Sequence, residues 1–135
     1  MPADRTALHL LADGRRVAPA LLAPGYWLFP LPHPAPSLRL VSEVFCPAAL
    51  GLSADSRRLG VALTRLSVVR PDAIADIPLA ALQQGCHAPE GGWRWTTGDT
   101  PLPPAPFAGH AAPAALLVQG FTAPDAVEAA EPALF

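Results

Sequence analysis

Apolar residues along this chain recur at every second position in short runs, and the runs are closed mostly by glycine, proline or aspartate. A period of two belongs to strands, whose successive side chains point to opposite faces. Leu8 to Ala12 and Arg15 to Leu22 flank Asp13-Gly14, a pair that supplies the positive φ values of a type I′ turn and so predicts a first hairpin. Tyr26 to Phe29 follows Pro24-Gly25 as an aromatic strand. Ser37 to Phe45 alternates, with Leu38, Leu40 and Val44 on one face and Arg39 and Glu43 on the other, the pattern of a half-buried strand. Leu59 to Val69 is the longest candidate. Leu59, Val61 and Leu63, then Leu66 and Val68, keep the spacing with one slip, which predicts a bulge near Thr64 and Arg65. Ala73 to Leu82 reads as a short strand around Ile77 and one helical turn at Leu79 to Leu82. In the next segment Trp93, Trp95 and Thr97 share one face and Arg94 and Thr96 the other, and Ala114 to Phe121 is a last strand.

Between these runs lie breaks with their own chemistry. Pro30, Pro32, Pro34 and Pro36 impose an extended connection in which His33 faces solvent, and Pro101 to Pro113 is a second Pro-rich loop anchored by Phe107. Cys46 to Leu52 breaks a strand, and Ser53 to Ser56 supplies side chains that bond nearby backbone amides. The chain has eighteen prolines in 135 residues, well above the average usage of about 5%. Long helices are excluded, because an interior proline removes a hydrogen bond and clashes with the preceding turn. The expected fold class is all-β, a single antiparallel β-sandwich of jelly-roll-like form with Pro-rich loops. It occupies residues 1–121, and 122–135 form a flexible Ala, Pro and acidic C-terminal tail.

A hydrophobic fraction of 51% with 15% charged residues provides enough apolar surface for a core and argues against disorder. The net charge of −2 lacks the basic stripe that nucleic acid requires. No apolar run reaches the ~18 residues of a membrane span. Asp13, Arg15 and Arg16 interrupt the one segment that resembles a signal peptide, so the default expectation is a cytoplasmic protein. Cys46 and Cys86 lie in no CxxC pair, and no metal site or cofactor is readable. Two buried free thiols are expected, with a single bridge as the alternative.

Chemistry concentrates in two places. The stretch His87 to Gly98 holds His87, Glu90, Trp93, Arg94 and Trp95 around Gly91-Gly92, and Asp55 to Gly60 holds Asp55, Arg57 and Arg58. The two are expected to meet, with Arg57, Arg58 or Arg94 facing Asp55, Glu90 or Asp99. Trp93 and Trp95 could form a platform for sugar rings, with Glu90, Asp99 or Arg94 bonding the hydroxyls. The competing reading puts a tryptophan in the core and ties Arg94 to Asp55 or Glu90 as a corner clamp. His87 and Glu90 could serve as a base and its orienting partner. Cys86 and His87, as strand neighbours, point apart. Asp55 with Arg57 and Arg58 could hold a phosphate or sulfate, or form a turn with one buried salt bridge and a solvated arginine.

Arg57 to Leu63, Gly85 to Glu90 and Trp93 to Thr96 together resemble an accessory β-sandwich module of bacterial proteins. Such modules follow hedgehog/intein-type (Hint) autoprocessing domains, and similar segments are attached to glycosyltransferases. The likeness covers most of the chain up to Phe121. Neither the Cys or Ser block and His-Asn pair of a Hint domain nor a nucleotide-sugar-binding domain is present, so the resemblance implies the accessory module alone, without self-processing. The resulting expectation is a non-catalytic binding module for carbohydrate or glycoconjugate, with Asp55, Arg57, His87, Glu90, Trp93, Arg94 and Trp95 as candidate ligand contacts. The alternative is a structural module that docks onto an enzyme or secreted partner protein. The third is a small hydrolase-like enzyme using His87 and Glu90.

Overall fold

Asp13 and Gly14 both have positive φ, 55° and 83°, as a type I′ turn demands, and they close the first hairpin. The computed structural model describes residues 7–31, 37–107 and 113–122. In chain order the first strands are β1 (His9–Ala12), β2 (Arg15–Val17), β3 (Ala20–Ala23), β4 (Tyr26–Pro30) and β5 (Leu38–Val41). They are followed by β6 (Ala62–Arg70), β7 (Ala73–Ile77), β8 (Arg94–Trp95), β9 (Asp99–Pro101) and β10 (Ala115–Phe121). Among the described residues the only helical pieces are 3-10 turns at Leu79–Ala81 and Ala105–Phe107, and no helix is long and apolar enough to cross a membrane.

The strands form two antiparallel sheets. One has the order β2-β1-β5-β9, the other β3-β4-β10-β6-β7 with β8 added beside β6. Leu10 and Leu40 from the first sheet meet Trp27, Phe29, Leu63, Leu66, Val68, Leu116 and Val118 from the second in one buried cluster. The chain is therefore the all-β sandwich that its alternation predicts. Trp27 belongs to this core at 4% exposure and cannot serve a ligand.

Three strand boundaries differ from the sequence reading, each for a local reason. Arg15 to Leu22 is not one strand: it divides at Ala18-Pro19, β2 staying with β1 and β3 crossing to pair with β4. Proline donates no ladder hydrogen bond and so marks the crossing. The strand from Ser37 ends at Val41, and Phe45 makes only an isolated bridge to Leu59. Pro101, expected to open a loop, instead ends the edge strand Asp99–Pro101 that pairs with β5, a position where proline is tolerated.

The slip in β6 is a bulge. Gln119 pairs with Arg65 but Gly120 pairs with Leu63, so Thr64 is the extra residue. Thr64 and Arg65 are both exposed while Leu63 and Leu66 on either side are buried, as expected where one added residue reverses the alternation. Ala62 consequently faces away from the core and Val61 and Leu63 face into it.

The loop with His33, most of residues 108–113 and the tail beyond Thr122 lie outside the described residues. Phe107 is buried, as its anchoring role requires, and Cys46 and Cys86 are free and half-buried.

Candidate functional site

The central stretch folds as an irregular hairpin over the end of the larger sheet. Thr97 donates to the Gly85 carbonyl at 2.8 Å and His87 to the Trp95 carbonyl at 2.9 Å, while Glu90 and Trp93 exchange bonds across Gly91-Gly92. Gly91 has φ of 64°, the positive value that the first central residue of a type II′ turn needs. Thr96 ties the hairpin to β6: its carbonyl accepts from Gly60 and its hydroxyl from Val61, each at 2.9 Å. The expected alternation holds, with Trp93 and Trp95 on one face and Arg94 and Thr96 on the other, although only Arg94 and Trp95 form a regular strand.

Sheet register explains where the aromatic rings go. Ala62 pairs with Phe121 on one side and Trp95 on the other, and register partners project to the same face. A methyl group between two large side chains lets them close over it. The Trp95 and Phe121 ring centroids are 5.5 Å apart at 83°, and Ala62 beneath them is fully buried. Phe45 meets Trp95 at 5.6 Å and Trp93 meets Phe121 at 5.7 Å, both edge to face, the arrangement favoured by the ring quadrupole. Trp93 and Phe121 remain 37% and 42% exposed. The result is a row of four rings on the outer face of the sheet, two of them open to solvent.

The two charged clusters do meet. Arg57 donates from Nη1 to Glu90 Oε2 at 2.8 Å and from Nη2 to Asp55 Oδ2 at 2.7 Å, with Nε between both Asp55 oxygens. Hydrogen bonds from the Arg57 side chain and backbone hold the Asp55 carboxyl down to about 2, and the two carboxylates raise the Arg57 guanidinium above its ordinary value. The three side chains are between 27% and 37% exposed, so this is a surface triad and not the buried salt bridge of the sequence reading. Arg58 is exposed, as expected of the solvated arginine.

Two expected pairings are corrected. Arg94 reaches neither Asp55 nor Glu90. Its Nε donates to the His87 carbonyl at 2.7 Å and its Nη1 to the Leu79 and Leu82 carbonyls at 2.8 Å each, because its face of the hairpin looks onto the end of the 3-10 turn. There the Leu79 carbonyl, already bonded by the Leu82 amide, keeps a second lone pair, and the last carbonyls lie past the turn's own bonds. Asp99 pairs instead with Arg39 at 2.8 Å on the other sheet. His87 and Glu90 also do not form an acid-base pair: His87 Nε2 donates to the Arg58 carbonyl at 2.9 Å, and Glu90 serves Arg57. Among the described residues no three His, Cys, Asp or Glu side chains gather as metal ligands.

Phe121, Phe45 and Ala62 were absent from the candidate list. The end of the last strand carried an aromatic residue, but nothing local announced its neighbour. A cleft of about 300 Å³ is lined by Ala81, Gln83, Gln84, Pro101, Leu102, Pro103 and Pro104 and shares no residue with the aromatic row. Comparison of the chain with protein families, curated proteins and solved structures finds no match, so the functional argument rests on the site.

Proposed function

We propose that this chain is a non-catalytic accessory module that binds carbohydrate or a glycoconjugate through the outer face of its larger sheet. The observation that carries the reading is the solvent-open pair Trp93 and Phe121 backed by Trp95, with Glu90 bridged to Trp93 across the turn through the backbone. Aromatic rings offer the flat apolar surface that sugar C–H faces stack on, and a few fixed polar groups beside them orient the hydroxyls. His87 and Glu90 are each committed to other partners, which favours binding over catalysis.

Acrylamide quenching of tryptophan fluorescence during titration with bacterial polysaccharides and oligosaccharides tests the reading. One glycan class is expected to protect a quenchable tryptophan, and Trp93→Ala to lose that protection with the fold intact. Quenching unaffected by every glycan refutes it. The second reading, docking onto a protein partner, draws on Ile74, which is 63% exposed on the edge strand β7; a free strand edge is a template for pairing. A complex abolished by Ile74→Asp and indifferent to Trp93→Ala would favour it.

A further inference from the structure

We propose that the glycan taken by this face is an uncharged polysaccharide, selected against acidic ones by the acceptor-rich rim of the aromatic row. The inference rests on the carbohydrate reading and narrows it.

One cluster of the rim holds one cation and two anions, Arg57 with Asp55 and Glu90, for a net charge of −1, and the exposed Arg58 beside it is the one neighbouring cation among the described residues that could favour an acidic ligand. Farther along the same sheet face Arg65 is paired to Asp76 at 3.0 Å, and Asp76 also accepts from Ser67 at 2.7 Å. Arg57 and Arg65 are thus both paired to carboxylates. A carboxylate or sulfate arriving here would meet like charge at short range beside guanidinium groups already neutralised by carboxylates, which disfavours the wrong ligand.

Hydroxyl groups meet the opposite situation. Each Asp55 oxygen already accepts two hydrogen bonds from Arg57. Glu90 accepts through Oε2, and its Oε1 has no partner among the described residues. That oxygen is a charged acceptor fixed by Arg57, on the residue that pairs with Trp93. A sugar lying on the Trp93 ring can donate a hydroxyl to it without breaking the bond between Arg57 and Oε2, whereas an anionic substituent has no proton to give. Glu90 is therefore a specificity determinant, and Arg57 positions it.

Stacking and a neutral-donor hydrogen bond do not depend on counterion release, so the affinity should be nearly blind to salt. The test is affinity electrophoresis of the full chain through gels containing a soluble neutral glucan, a galactomannan, polygalacturonate or hyaluronate, at about 0.05 M and about 0.5 M NaCl, a range over which exposed charge interactions become strongly screened. Retardation by a neutral polysaccharide, changing less than about twofold with salt while exposed charge interactions are screened, is expected. Trp93→Ala should remove it. Glu90→Gln, which keeps shape and fold, should weaken it about tenfold through the loss of a charged acceptor. Stronger retardation by an acidic polysaccharide, falling steeply with salt and lost in Arg58→Ala, overturns the neutral-ligand inference and leaves the carbohydrate reading standing. No retardation by any of the four overturns both.

Discussion

Arg94 holds three backbone carbonyls and no carboxylate, which makes its removal the sharpest test of how the hairpin is attached. Hydrogen bonds from a charged donor are worth about 1.5–3 kcal/mol each. The three share one guanidinium and are not additive, and at this half-buried position water replaces part of what is lost. Arg94→Ala should cost about 2–4 kcal/mol, because the carbonyls of Leu82 and His87 lose their charged donor and that of Leu79 keeps only its bond from the Leu82 amide. For an m-value of about 2 kcal/mol/M, within the usual range for urea, the unfolding midpoint should fall by about 1–2 M. Followed by circular dichroism and tryptophan emission, the variant should also show a red shift before global unfolding, since Trp93 and Trp95 ride on the released hairpin. Arg94→Lys should fall between the two, as an ammonium is a point donor without the planar fork. A loss below about 0.5 kcal/mol, the level of an ordinary surface substitution, would refute the clamp.

Two further outcomes follow from the geometry. A Cβ at Gly120 would fall against the Ala62 carbonyl oxygen inside the 3.0 Å that real Cβ atoms respect, whereas one at Gly92 meets nothing within 4 Å. Gly120→Ala should destabilise by about 1–3 kcal/mol, the cost of overpacking, and Gly92→Ala should be neutral; equal midpoints for the two in urea would contradict the pairing of β6 with β10. The Asp55 carboxyl is lowered from 3.8 to about 2 by the Arg57 hydrogen bonds. Its contribution is therefore full above the unfolded value and lost as pH falls through the folded one. Tryptophan emission should be flat from neutrality to about pH 4.5 and change between about pH 4 and 2, where Asp55 protonates and frees Arg57. Asp55→Asn should lack that step, and an unchanged step in the variant would assign it elsewhere.

Features set by neighbours in sequence were legible, and features set by distant register were not. The Asp13-Gly14 turn, the slip at Thr64 and Arg65, the single helical turn after Ile77 and the Trp93/Arg94 alternation all follow from local sterics or a period of two, and all are present. The meeting of Arg57 with Glu90 was foreseen from charge density alone, but its choice over Arg94 was not. Which arginine turns toward the carboxylates depends on what lies under each face of the hairpin, and under Arg94 lies a turn terminus from fifteen residues upstream. Phe121 beside Trp95 is the same kind of fact: it depends on Ala62 standing between two strands that the sequence does not align. The short edge strand β9 was hidden by Pro101, which ordinarily signals a loop.

The single added residue at Thr64 makes the site a matter of parity. Counting from the core-facing Leu66 in the middle of β6, the three steps to Leu63 would under strict alternation deliver Leu63 to the outer face and Ala62 to the core. With Thr64 as the extra residue the effective count is two and delivers the reverse, so the small side chain comes out beneath the aromatic rings and the large one goes in. Because a one-residue shift exchanges the two faces of a strand, any insertion or deletion between Val61 and Leu66 would swap floor and core at a stroke, whereas a compensated pair of them would leave both in place. Drift in the length of this segment is therefore permitted only in twos, while substitutions at the exposed Thr64 itself are free.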